Sequence, residues 1–317
     1  MKKSNKILTA AAVAGGAVGL TYALNRIIFH YSTMKKLLVS DERFVYEWRF
    51  GNIHYIKKGS GNPLILLHDL NSSSSSYEWH RMIDDLAKSH TVYSLDLLGC
   101  GYSDKPKMTY TNYLYVQMLN DFIKEVVKGK TDVAASVGSC SIAISACHMM
   151  PELYHTLMLI NPQNPAEVAK APKFYHKLYK YMIEIPVFGT LLYNVQMTAG
   201  NIGKMFEEQY YHAVELVDAM DISVYNEAAH LGGASSRYLY ASIRSRYLSI
   251  PLHQAIKKID QSIVIVGGKA VEGIEDVIDV YCELNPAIET VMLDNAKYMP
   301  QLEVPEELKE VISIYMG

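Results

Sequence analysis

The side chains able to do nucleophilic chemistry are concentrated in one short run, Val133-Ala-Ala-Ser-Val-Gly-Ser139-Cys140-Ser-Ile-Ala143. Ser139 and Cys140 sit there among small residues, the composition a tight turn between a strand and a close-packed helix requires. The same run could equally be small only for packing. Groups that could serve as a base or an acid are scattered. His68 lies far upstream, His230 lies in Glu227-Ala-Ala-His230-Leu-Gly-Gly, and no histidine follows His253. The four cysteines, Cys100, Cys140, Cys147 and Cys282, form no CxxC and have no closely spaced histidines, so neither a zinc site nor a disulfide scaffold is expected. Gly99-Cys100-Gly101 lacks the third glycine of a dinucleotide loop, and no cofactor is expected.

The elements that would position these groups are legible from Asp41 onward. Two runs flank Gly51-Asn52 as a hairpin: Arg43–Arg49 and Ile53–Lys58. Short, continuous apolar runs then recur as buried strands at 63–68, 91–96, 133–136, 156–160, 262–266 and 288–293. Helical segments are expected between them at 77–88, 113–127, 141–149, 274–284 and 305–315. Pro305 with Glu306 and Glu307 is a sound helix start. Alternation of this kind predicts an α/β fold with a mainly parallel sheet and helices on both faces. From Asn164 to about Ser249 no strand is expected. That stretch is rich in Tyr and Met, and a helical insertion there would form a lid over the carboxyl ends of the strands.

Three segments then resemble the lidded α/β-hydrolase family. Leu64-Ile-Leu-Leu-His68-Asp69-Leu70-Asn71-Ser72-Ser73 is similar to its strand and oxyanion loop. Asp96-Leu-Leu-Gly99-Cys-Gly101-Tyr-Ser103-Asp-Lys-Pro106 resembles the loop after its fourth strand. Tyr298-Met-Pro300-Gln-Leu-Glu303 resembles the loop around its catalytic histidine. The resemblance implies a hydrolase core at 41–163 and 251–317 and a lid at 164–250. It also implies a nucleophile elbow, Gly-x-Ser-x-Gly, at the small-residue run. Two frames are open. One places Ser139 at the nucleophile, with Val137 and Ser141 replacing the glycines; the other places Gly138 there and leaves no nucleophile. In the first frame Cys140 and the His68–Leu70 loop, including Asp69, would supply oxyanion N–H groups.

By the same resemblance the histidine position falls on Tyr298, whose phenol at pKa ~10 makes a poor base near neutral pH. The acid position falls near Ala270, with Glu272 the nearest carboxylate; the alternative acid position is Asn161. His68 and His230 are the remaining candidates for a base. Two readings follow: a degenerate hydrolase with little or no turnover that keeps an apolar ligand pocket, or an active serine hydrolase of small esters using Ser139 with a non-standard base. Dehalogenation would need an aspartate at the elbow and is disfavoured.

The whole chain is 317 residues with 30 basic and 33 acidic side chains, half of it hydrophobic. That is an ordinary globular composition, and its charge balance gives no reason to expect a nucleic-acid partner. The N-terminus is different. Ile7–Leu24 is uncharged, flanked by Lys2, Lys3 and Lys6 before it and Arg26 after it. As a helix it would reach about 27 Å, near the ~30 Å of a bilayer core. Residues 1–30 are therefore expected to be an uncleaved anchor placing the protein at the cell membrane in a single pass. The flanking charges are too evenly matched to orient it. Gly15 and Gly19 form a GxxxG through which two such helices could pair.

Overall fold

In the computed structural model, residues 2–38 and 43–317 are described. Eight strands form one sheet: β1 (Arg43–Trp48), β2 (Gly51–Lys58), β3 (Asn62–Leu67), β4 (His90–Leu95), β5 (Thr131–Ser136), β6 (Tyr154–Ile160), β7 (Ser262–Gly268) and β8 (Glu289–Leu293). Their order is β1-β2-β4-β3-β5-β6-β7-β8. β1 and β2 form the expected antiparallel hairpin, but its turn is Arg49-Phe50; Gly51 and Asn52 lie in β2, paired with Trp48 and Glu47, and β2 is antiparallel to β4. Every other pairing is parallel. β3, β5 and β6 are central and buried on both faces, which is why they read as unbroken apolar runs.

The crossover helices are α2 (Asn112–Phe122) and α3 (Cys140–Met149) after β4 and β5, with α8 (Ile274–Leu284) and α9 (Pro305–Met316) at the C-terminal end. Among the described residues between β6 and β7 there are only helices and loops. The longer ones are α4 (Phe174–Glu184), α5 (Phe188–Gln196), α6 (Ala219–His230) and α7 (Arg237–Arg244). One expected helix is broken. The segment 77–88 is a 3₁₀ turn, Ser76–Trp79, followed by a short helix, Ile83–Leu86. Met82 leaves the helical region at φ −120°, and the break lets both Trp79 and Met82 bury completely.

The N-terminal helix α1 (Lys2–Thr33) has two parts. Ala12–Thr33 is long and apolar enough to cross a membrane. From Asn25 onward the helix is held by the insertion. The Asn25 amide donates to the Val187 carbonyl at 2.9 Å and accepts from the Asn194 amide at 3.0 Å. Phe29 lies against the His230 ring, and the Leu37 and Leu38 amides donate to the Glu227 carboxylate. Before Asn25 the side chains from Ala12 to Leu20 and from Tyr22 to Leu24 are exposed. A Cβ placed at Gly15 or Gly19 would meet nothing within 4 Å among the described residues outside its own helix backbone.

Candidate functional site

The loops at the carboxyl ends of β3, β4 and β5 meet around Asp96. Its fully buried carboxylate accepts from the amides of Ser76 (2.7 Å) and Tyr102 (2.8 Å) and from Arg43 (2.7 Å). Gly101 turns over it with φ +46°; a Cβ there would lie 2.3 Å from the carboxylate carbon, so only glycine fits. His68 is locked nearby. Its Nε2 accepts the Leu97 amide at 3.0 Å, which leaves Nδ1 to donate to the Asp69 carbonyl at 2.7 Å. Burial lowers its pKa, so it is a neutral structural histidine with both nitrogens engaged and not a base.

The turn from β5 into α3 corrects the sequence expectation. Its left-handed residue is Val137, at φ +44°, whereas Ser139 has ordinary right-handed geometry at φ −75°. A β-branched residue reaches the left-handed region only under strain. The strained residue of a strand-to-helix elbow is the one that presents a nucleophile, and the N–H of the next residue points into the oxyanion site. Here that next residue is Gly138. Neither expected frame fits this turn: Ser139 lies two residues past the apex, and Gly138 one. The Ser139 side chain is fully buried and its hydroxyl donates to the His68 carbonyl at 2.6 Å. Cys140 is not an oxyanion donor either. Its N–H donates to the Val137 carbonyl, and its thiol is buried against the Ala135 and Ile160 carbonyls. A usable signal was present in the sequence: Ala135 and Ser139 are the small residues that flank Val137 at the glycine spacing.

The oxyanion donors themselves are occupied from within the chain. The Gly138 N–H donates to Asp69 Oδ1 at 3.0 Å, and the Leu70 N–H also supports that carboxylate. The Tyr210 hydroxyl reaches Oδ2 at 3.4 Å. Burial nonetheless pushes Asp69 up to about 6. Behind it lies Glu78, fully buried, which accepts from the Asp69 amide (3.0 Å), the Gln301 amide (2.7 Å) and the Tyr225 hydroxyl (3.3 Å). Burial, and then the nearby Asp69 charge, pushes Glu78 up to about 8. Sequence reasoning placed Asp69 in the oxyanion loop but did not anticipate its carboxylate on the donors, and it passed over Glu78 altogether.

The other candidate positions carry no acid–base pair. Tyr298 is half-buried, and burial followed by the Asp69 and Glu272 charges raises its phenol pKa, away from what a base needs. Glu272 is exposed in the turn after β7. The Ala270 N–H donates to the Ala296 carbonyl. Asn161 is a brace: its amide donates to the Lys297 and Tyr298 carbonyls and its oxygen accepts the Gly268 N–H. His230 is buried at the foot of α1, Nδ1 bound to the Asn226 carbonyl at 2.7 Å and its ring between Phe29 and Tyr193. It is a packing residue of that junction.

Over Val137 the insertion supplies a closed aromatic cluster. Phe206, Tyr210, Tyr211 and Tyr225 bury together with Met299 and Leu302, and Val137 and Tyr298 pack against them. The Met299 N–H donates to the Tyr210 carbonyl, and Glu303 accepts the amides of His212, Ala213 and Lys297, tying the insertion to the Tyr298 loop. A cleft of about 340 Å³ lies elsewhere, between Gly101–Lys105 and the Leu231–Ser235 segment. Among the described residues no group of His, Cys, Asp and Glu is arranged to hold a metal ion.

This architecture agrees with comparison to known proteins. The family model for the alpha/beta hydrolase fold matches residues 62–244, more than half of the chain, and the chain belongs to that family. It is 32% identical over 110 residues to the 2-hydroxy-6-oxo-6-(2'-aminophenyl)hexa-2,4-dienoic acid hydrolase of Metapseudomonas resinovorans, covering 33% of this chain and 37% of the relative. It is 29% identical over 109 residues to a soluble epoxide hydrolase of Corynebacterium sp. strain C12, covering 34% and 37%. The match thus spans about a third of these relatives' length. In three dimensions it resembles a serine hydrolase of carbazole degradation, with TM-score 0.71, 18% identity, and coverage of 86% of this chain and 98% of the other. A membrane phospholipase A described as a bacterial virulence factor matches at TM-score 0.68 and 20% identity, covering 100% of this chain and 98% of its own.

Proposed function

We propose that this is a membrane-anchored, non-hydrolysing member of the α/β-hydrolase family. The nucleophile, acid and base positions are held by Val137, Ala270 and Tyr298, none of which can play its part. The observation that carries the reading is the Gly138 N–H donating to Asp69 Oδ1 one residue past a valine apex. Preorganised N–H donors stabilise an acyl-transfer transition state only when free to meet the developing oxyanion. Here a carboxylate already holds them, and no nucleophile stands beside them.

The role left to such a site is binding. The Tyr- and Met-rich underside of the insertion, acting as a lid, is the surface that offers contact to a small apolar or ester ligand. The anchor is α1 up to the point where Asn25 meets the insertion; two copies could pair through Gly15 and Gly19. The alternative, an active esterase using Ser139, has a buried hydroxyl already committed to the His68 carbonyl.

The test is turnover of short-chain p-nitrophenyl esters by the full chain in detergent micelles, beside its Ser139→Ala variant. The expected result is the same background rate for both. Turnover by the wild type that Ser139→Ala abolishes would overturn the reading.

A further inference from the structure

The insertion shows an apolar face to solvent that its own fold does not use. On α4 the exposed large apolar residues are Phe174, Tyr175, Leu178, Tyr181 and Met182, with Phe174 82% and Tyr181 67% exposed. Their spacing puts all five on one side of the helix. The opposite side buries Ile183. On the neighbouring α5, Phe188, Leu192 and Val195 repeat the pattern, each close to half exposed. A soluble surface rarely carries so continuous an apolar stripe without a partner.

The position of the stripe says what covers it. α5 is fixed to α1 at Asn25, through the Val187 carbonyl and the Asn194 amide. On the N-terminal side of Asn25, Leu20, Tyr22 and Leu24 are exposed. On that side of Asn25 the uncharged run from Ile7 to Leu24 is about 27 Å long, close to a hydrocarbon core of ~30 Å. The bilayer surface therefore falls at the level of Asn25, which is the level of α5. Exposed Lys173 and Lys177 lie beside the α4 stripe, where long cationic side chains extend to lipid headgroups. Tyrosine and phenylalanine are the ring types that settle at that boundary.

We propose that the outer faces of α4 and α5 lie in the headgroup–acyl boundary of the same bilayer that α1 enters, so that the insertion is held on the membrane at two places. This inference rests on the anchor reading above. Docking of this kind fixes the tilt of the whole domain and turns the insertion toward the lipid phase.

The experiment uses the full chain reconstituted in phosphatidylcholine–phosphatidylglycerol vesicles, with Tyr181→Trp on α4 and, separately, Ile314→Trp on α9, each corrected for the wild-type tryptophan signal. Lipids brominated high on the acyl chain are expected to quench Tyr181→Trp about two-fold and to leave Ile314→Trp unchanged. Thermal unfolding of both variants at the wild-type temperature confirms that they are folded. A carbonate-resistant, vesicle-bound chain whose Tyr181→Trp signal is quenched by iodide and not by lipid overturns this inference and leaves the anchor standing. Protection from both quenchers means that protein, such as a second copy, covers α4, and overturns it as well. A chain that stays out of the vesicle fraction overturns the anchor reading and this inference together.

Discussion

Combining Val137→Ser, Ala270→Asp, Tyr298→His and Asp69→Gly is expected to give a chain that a fluorophosphonate labels at position 137. The same combination without Asp69→Gly is expected to label at least about 10²-fold more slowly, the cost of losing even one oxyanion donor in a hydrolase. Removing a triad serine or histidine costs about 10⁶ in turnover where it has been measured, so restoring only one of the three positions gains little. Much of an elbow is already in place. Val137 has the left-handed backbone of an elbow, Gly138 N–H points where an oxyanion would sit, and Asn161 braces the Tyr298 loop against β7. Equal labelling with and without Asp69→Gly would contradict the role given to Asp69. A fourfold variant that unfolds at the wild-type temperature and yet does not label would show that the Val137 turn is not an elbow.

Glu78→Gln is expected to remove a fall in stability between pH 6.5 and 8. Glu78 titrates near 4.5 when unfolded, and burial followed by Asp69 raises it to about 8 in the fold. The folded chain therefore holds a proton that the unfolded chain has lost, and stability declines as pH climbs toward 8. Over this window the loss is about 1.5 kcal/mol, or roughly 2 °C in Tm for a domain of this size. Other groups do not mask it. The lowered histidines, His68 among them, act below their unfolded value of 6.5, and Asp69, raised to about 6, has largely finished titrating. Lys105, lowered by burial to about 8, adds the opposite slope mainly above the window and offsets only about 0.4 kcal/mol within it. Differential scanning fluorimetry of wild type and Glu78→Gln in matched buffers decides it; parallel curves would mean that Glu78 is already ionised in the fold.

The positions of the strands along the chain and most helix limits were legible because they depend on local apolar runs and on punctuation such as Pro305, whereas the hairpin turn fell at Arg49-Phe50 and not at Gly51-Asn52. The elbow frame was not. Small residues at 135, 136, 138, 139, 140 and 141 let more than one frame satisfy the motif, and only the backbone shows that Val137 takes the left-handed position. Tyr298 and Ala270 could be located because Pro300, Glu303 and the end of β7 anchor the count. Asp69 and Glu78 could not be understood from the chain, since their chemistry comes from burial beside residues as distant as Gly138 and Gln301. The helix break at Met82 was missed for the same reason: Trp79 and Met82 are placed by the core, not by local propensity.

A non-hydrolysing chain of the kind proposed presents no activated serine. Intact-mass analysis of the full-length protein after prolonged exposure to a fluorophosphonate, followed by peptide mapping across residues 131–149, tests this most directly. An unmodified mass is expected. An adduct on Ser139 would contradict it and would mean that the hydroxyl now bound to the His68 carbonyl is freed and activated by a base that the present geometry does not bring to it.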